Sequence, residues 1–490
     1  MPVSPITSLS EAKLKLLQSY LRPSVAPAAA APLHIGRHLS SEPAPLSTYQ
    51  EELVVRESST AGIPPLYNEC IRLRMEGTLK IGLLERSFTE IIRRHEIWRT
   101  SYDMLNGESV QVVHPAPEET RFPVTDLRGL PKADQEAEIA DLISALASKP
   151  FDLTAGPLLR AKLIRTGDLE HSLYLIAHLS IVDGVSVYQV FPLELATLYR
   201  TYSSGERSPL PELPIQFGDY ARWQRQSQHG DQVAGQLSYW RTQLASAPPL
   251  AWPRGQPHSR KQTFRGEIKS FTLPARLSES ARKFSKQEGT TLFMSLLAVY
   301  AALLHWYSQQ NDIVLGTPSP AGRKRSEVQK LLGYFLNPVA LRFDFSGNPT
   351  FREVLRQAHK VILEAISNDD LSPQLLSREL SPQLDSGRRA PLFTMGISLQ
   401  PSTPDLGVEW SVTSMDANSG GSPWDLYLAF IDRPEGLLGR AQYNPDLFEA
   451  ETIATMLQDY EKVFAAAISN PAMRLSETKI VRAQSLHASE

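Results

Sequence analysis

An α/β fold in two lobes is predicted by three features: a length of 490 residues, strand-and-helix patterning from about Leu46 onward, and the return of that pattern after a Pro-rich break. A single hydrophobic core rarely grows beyond about 250–300 residues, so a chain of this length divides. Hydrophobic residues make up 42% of the chain and charged residues 21%, the balance of an ordinary globular protein.

The elements follow in order. Ser10 is placed to cap a short helix through Leu21, with Leu14, Leu16, Leu17 and Leu21 as its apolar stripe and Pro23 as its stop. Residues 24–45, rich in Ala and Pro, read as an extended linker, so 1–45 form a lead-in. The first lobe is expected over 46–260, with strands at 69–76 and 110–114 and helices at 81–95 and 132–148. Within it, an apolar strand at 171–177 runs through a loop ending in Asp183-Gly184 into an apolar helix at 185–202. After the Pro-rich residues 248–257 the plan repeats. A strand at 266–273, helices at 277–287 and 290–307 and a strand at 312–317 open a second lobe over 261–480, followed by a tail at 481–490. No short repeat of the solenoid or propeller kind is present, so paired lobes with a site in their cleft are the expected architecture.

Several function classes are disfavoured at once. The net charge of -3 gives no bulk attraction to nucleic acid or an anionic membrane. Cys70 is the only cysteine, which rules out an internal disulfide and a multi-cysteine metal site and fits a reducing cytoplasm; no metal site is predicted. The N-terminus lacks the order of a signal peptide. The most apolar stretch, 291–307, includes Ser295 and His305 and falls short of the ~20 residues of a membrane span, so it is expected to be a buried core helix.

The chemistry-bearing stretch is His178-Leu179-Ser180-Ile181-Val182-Asp183-Gly184. It places a histidine, the natural general base near neutral pH, and a carboxylate in one loop where the backbone can aim both into a cleft. The alternative reading is structural: a packed, hydrogen-bonded histidine and an Asp-Gly turn before a helix. A hydrolase triad of Ser180, His178 and Asp183 is disfavoured, because no Gly-x-Ser-x-Gly elbow precedes them.

This stretch resembles the His-His-x-x-x-Asp-Gly signature of nonribosomal peptide synthetase condensation domains, within the chloramphenicol acetyltransferase-like superfamily. Further stretches resemble the family's other motifs in the same order. They are Leu46-Ser47-Thr48-Tyr49-Gln50, Arg94-His95-Glu96-Ile97-Trp98-Arg99-Thr100, Gly218-Asp219-Tyr220-Ala221-Arg222-Trp223-Gln224, Leu332-Gly333-Tyr334-Phe335-Leu336-Asn337 and Arg389-Ala390-Pro391-Leu392-Phe393. The resemblance implies two chloramphenicol acetyltransferase-like lobes in a V-shaped pseudo-dimer. It also implies amide formation between an acyl donor and an aminoacyl acceptor, each a thioester on the phosphopantetheine arm of a carrier protein. Donor and acceptor carriers and neighbouring synthetase domains are then the partners, and the domain binds no cofactor of its own.

At the site the resemblance implies catalytic-loop positions His178, Leu179, Asp183 and Gly184, with Arg323 of Gly322-Arg323-Lys324-Arg325 as the salt-bridge partner of Asp183. Ser186, Tyr334, Asn337 and Trp424 would line the substrate tunnel. The sequence departs from the family at Leu179, which replaces the second histidine, the residue credited with aiding the attack. It departs again where the family reads His-Gln-Asp-x-Pro-Phe and this chain has Asn368-Asp369-Asp370-Leu371-Ser372-Pro373, and at Pro338, which has no backbone donor. Loss of a positioned acid/base group removes about 10²–10⁴-fold of rate. A degenerate platform that binds carriers or recruits a partner enzyme is therefore the alternative to an active domain. Heterocyclisation fits less well, because its motif needs an aspartate where His178 stands. Trp98, 183–188, 422–426 and 443–448 are similar to the subgroup that follows polyketide synthase modules.

Overall fold

The computed structural model describes residues 34–38, 42–59, 62–227, 231–250, 263–380, 392–414, 417–433 and 435–478. The expected helix at 10–21, most of the linker, Arg389-Ala390-Pro391 and the tail lie outside the described residues.

The first half contains β1 (Ala44–Pro45), α1 (Thr48–Ser59), β2 (Asn68–Glu76), α2 (Ile81–Arg94), β3 (Thr100–Leu105), β4 (Glu108–Val113), β5 (Val124–Asp126), α3 (Lys132–Ala147), β6 (Leu159–Arg165), β7 (Glu170–His178), α4 (Phe191–Ser203), α5 (Phe217–Ser227) and α6 (Asp231–Gln243). β7 sits in the middle of a sheet, paired antiparallel with β2 and β6. It is covered on both faces, which is why its sequence reads as nearly continuous apolar residues. His178, its last residue, is thereby delivered to the lobe interior.

The helix expected over 185–202 begins differently. Residues Ser186–Val190 form a π-turn in which the Phe191 N–H donates to Ser186 O, and only then does α4 start. Pro192 has no N–H, so a regular helix cannot be closed through that position, and the wider turn accommodates it.

The second half contains β8 (Glu267–Pro274), α7 (Ala275–Gln287), α8 (Leu292–Ser308), β9 (Asp312–Ser319), β10 (Asn337–Asp344), α9 (Phe351–Ser367), α10 (Pro373–Leu380), β11 (Met395–Gln400), β12 (Trp410–Ser414), β13 (Leu426–Arg433), β14 (Gly436–Tyr443) and α11 (Ala450–Ser469). Six of its strands form one sheet in the order β10-β9-β11-β13-β14-β8. α8 is capped by the Thr291 hydroxyl, which accepts from the Met294 N–H, and is buried on nearly every side within the second core. No single helix among the described residues is long and apolar enough to cross a membrane.

Packing crosses the sequence boundary at 260/261 in both directions. β12 leaves the second half and pairs antiparallel with β2, from Trp410 opposite Met75 to Ser414 opposite Ile71. It covers a sheet edge whose N–H and C=O groups would otherwise be open. Conversely, Trp240 of α6 is buried in the second core, and its indole N–H donates to Asn368 O at 2.8 Å. Val328, Leu331, Leu332 and Phe335 join the first core.

Candidate functional site

His178 is fully buried. Its Nδ1 accepts from the Ser180 N–H at 3.3 Å and lies 2.7 Å from Ser180 Oγ, which in turn accepts from the Tyr102 hydroxyl at 2.8 Å. Nδ1 is therefore an acceptor and the proton sits on Nε2, which has no hydrogen-bond partner among the described residues; the imidazole ring stands edge-on to Tyr67 and Phe151. Burial alone pushes the imidazole down to about 3. The ring is thus neutral at physiological pH, and it does not line the cavity.

Because its folded pKa lies below the ordinary value of ~6.5, His178 contributes stability that is complete above pH 6.5 and is lost as pH falls toward 3. In His178→Asn an amide oxygen can take the place of Nδ1 but cannot protonate. Urea unfolding between pH 7.5 and 5 should show this variant losing less stability, by up to about 1.4 kcal/mol per pH unit below 6. Parallel curves for the two proteins would show that His178 does not titrate in this way.

Leu179 turns the other way. Its N–H donates to Tyr67 O at 2.8 Å, and its half-buried side chain packs against a cluster containing Tyr49, Tyr67 and Tyr334. It lines a cavity of about 790 Å³ between the lobes, to which the first half also contributes Tyr49 and Tyr188 and the second half Ser319, Tyr334 and Trp424. Trp424 stacks on Phe393, with ring centroids 5.6 Å apart. Gly184 lines the same space. A Cβ there would lie 2.6 Å from Gln400 Oε1 and 3.2 Å from Pro401 Cδ, so the absent side chain leaves room for the Gln400 and Pro401 side chains.

Asp183 and Arg323 form a buried, bidentate pair, with Nε to Oδ2 at 2.9 Å and Nη2 to Oδ1 at 2.8 Å. Oδ1 also accepts from the Ser186 N–H. The remaining guanidinium donors reach Val328 O, Leu331 O and Ser186 Oγ, so all five are used. The guanidinium lies 4.2 Å from the ring centre of Phe335. The pair thus bolts the loop after β7 to the segment from Arg323 to Phe335 in the opposite half, where the Phe335 N–H also donates to Oδ2 at 3.4 Å.

Two of the expected tunnel residues are corrected by this geometry. Ser186 does not line the cavity: its Oγ donates to Gly333 O at 3.1 Å and accepts from the Gly333 N–H at 3.0 Å, which turns it inward. Asn337 is also buried away from the cavity, because its Nδ2 donates to Asp369 O and Leu371 O and so anchors that loop. Tyr334 and Trp424 are on the wall. Trp98 is a core residue packed against Phe88 and Phe191.

Other motif residues act as braces that sequence reasoning left without a role. Gln50 Nε2 donates to Ser180 O at 2.9 Å, holding the loop from α1. His95 Nδ1 accepts from the Leu332 N–H, and its Nε2 meets Glu194 at 2.8 Å. Asp369, in the altered motif, is fully buried, accepts from Ser319 Oγ at 2.5 Å and pairs with Lys324. Burial raises its carboxyl to about 6 despite Lys324.

A family model described as Condensation domain matches residues 40–487. A linear gramicidin synthase of Brevibacillus parabrevis is 37% identical over 459 residues, covering 91% of this chain and 9% of that protein. Chondramide synthase cmdD of Chondromyces crocatus is 35% identical over 428 residues, covering 87% of this chain and 11% of that protein. The chain therefore spans a small part of these relatives. Among solved structures, the first condensation domain of the calcium-dependent antibiotic synthetase, in complex with a substrate analogue, aligns with a TM-score of 0.79 at 19% identity, over 90% of this chain and all of that one. The X-domain from teicoplanin biosynthesis, in complex with OxyB, aligns with a TM-score of 0.75 at 22% identity, over 93% of this chain and 99% of that one. These two likenesses establish the two-lobed α/β fold. The family match over nearly the whole chain shows that this protein belongs to the condensation-domain family of nonribosomal peptide synthetases.

Proposed function

We propose that the domain joins a carrier-bound acyl group to the amine of a carrier-bound amino acid, forming an amide in the cavity between its lobes. The observation that carries this reading is the cavity itself: Leu179 stands on its wall, and residues of both halves close around it. Each substrate would arrive as a thioester on a phosphopantetheine arm, so the domain needs a passage and two docking faces rather than a cofactor. The amine attacks the thioester carbonyl, the tetrahedral intermediate collapses, and the thiol of the donor arm departs. Holding amine and thioester in attack geometry can supply about 7–11 kcal/mol of the barrier, which is why such a domain can act without an imidazole at position 179.

A second reading, a carrier-binding platform that recruits a partner enzyme, is favoured by Leu179 and by the complex of the teicoplanin X-domain with OxyB. Single-turnover assays with donor and acceptor loaded on separate carriers distinguish the two. Amide product above the carrier-only background is expected. Carrier binding without product across several donor and acceptor pairs would leave the platform.

A further inference from the structure

We propose that Ser319 and Asp369 form a proton relay that serves the attacking amine in place of the imidazole missing at Leu179. This rests on the acyl-transfer reading above. Two departures from the family pattern lie in one neighbourhood. Leu179 removes a base from the cavity wall, and Asp369 puts a carboxylate where the pattern has glutamine. Ser319, at the end of β9, lines the same cavity as Leu179, and its hydroxyl donates to Asp369 Oδ2 at 2.5 Å.

The placement is supported from several sides. Asn337, opposite Ser319 across the β9–β10 ladder, fixes the Asp369 loop through the carbonyls of Asp369 and Leu371. Tyr49, in the cluster that holds Leu179, donates to Asp369 O at 3.4 Å. Ala321 and Leu336, close in sequence to Ser319 and its ladder partner, belong to that cluster too. The ionisable groups that act on Asp369 are Lys324 from the turn after β9, Asp370 beside it, Tyr49 from α1 and Tyr220 from α5. Burial holds the carboxyl near 6, with Lys324 opposing, so it is ionised at neutral pH and yet basic enough to take a proton.

The step balances. As the amine nitrogen bonds to the thioester carbon, its proton passes to Ser319 Oγ while the serine proton moves to Asp369 Oδ2. When the C–S bond breaks, the same path returns a proton to the departing sulfur, giving amide and thiol with no net proton consumed. Ser319 touches the reacting amine and is the catalytic residue; Asp369 acts through it.

The test uses the full chain with carrier-loaded donor and acceptor under single-turnover conditions from pH 5 to 8, comparing wild type, Ser319→Ala and Asp369→Asn. The wild-type rate should rise through two inflections, one near 6 and one belonging to the acceptor amine. Asp369→Asn should lose the one near 6, and both variants should be slower by about 10²-fold at pH 7.5 with unchanged carrier affinity. Carboxyl carbon NMR of the wild-type chain should show Asp369 titrating near 6, a readout independent of variant folding. Folded variants that keep the wild-type rate and profile, or an Asp369 carboxyl that titrates in the ordinary range, overturn the relay alone. A wild type that binds both carriers and makes no amide overturns the acyl-transfer reading, and the relay with it.

Discussion

Asp183→Ala lowers the stability of the folded chain by about 3–5 kcal/mol, because it leaves the Arg323 guanidinium buried without its counter-charge. The two donors that face Asp183, on Nε and Nη2, lose their acceptors, while those to Val328 O and Leu331 O keep the cation in place. The Ser186 N–H loses its acceptor as well. The damage therefore falls on the junction between the π-turn and the segment from Arg323 to Phe335, and urea unfolding should show a lower midpoint. Asp183→Asn, which keeps an acceptor and the side-chain volume, should fall between wild type and alanine. An alanine variant that unfolds at the wild-type urea concentration would mean that the pair does not hold the loop.

Leu179→His should raise the single-turnover rate by about 10²-fold. The side chain already faces the cavity beside Tyr67 and Tyr334, so on the acyl-transfer reading an imidazole there would meet the reacting amine and not the core. Apolar neighbours hold such a ring below its ordinary pKa, which keeps it neutral and able to accept a proton at pH 7. Where Ser319 and Asp369 already serve the amine the gain is partly redundant, and the same change in an Asp369→Asn background should produce a larger relative increase. Folding is checked by comparing melting curves. A folded Leu179→His protein that binds carriers and still makes no amide, beside an inactive wild type, would leave the platform as the function.

Much of the frame was legible because burial writes itself into the residues. β7 is enclosed on both faces and reads as an apolar run, and α8 reads the same way at helical length. The site was legible only in part. Order along the chain locates a residue near the cavity but does not give its direction, and the hydrogen bonds of Ser186 and Asn337 turn both away from the wall. The π-turn lies just before Pro192, which has no donor, and there the register widens by one residue, with the Phe191 N–H reaching back to Ser186 O. β12 carried no strand signal strong enough to place it, because its pairing is decided by an edge far away in sequence. Asp369 is in sequence only a departure from the family pattern, because Ser319 and Lys324, its partners, lie 50 and 45 residues away.

The exchange of β12 has a consequence for dissection. A cut at residue 260 yields an amino-terminal piece with the flank of β2 bare and a carboxy-terminal piece whose core lacks Trp240. Each fragment is thus missing part of its own packing. The two halves are buckled together by their own chain, so any transplant of the fold has to carry both, with the strap at 410–414 intact.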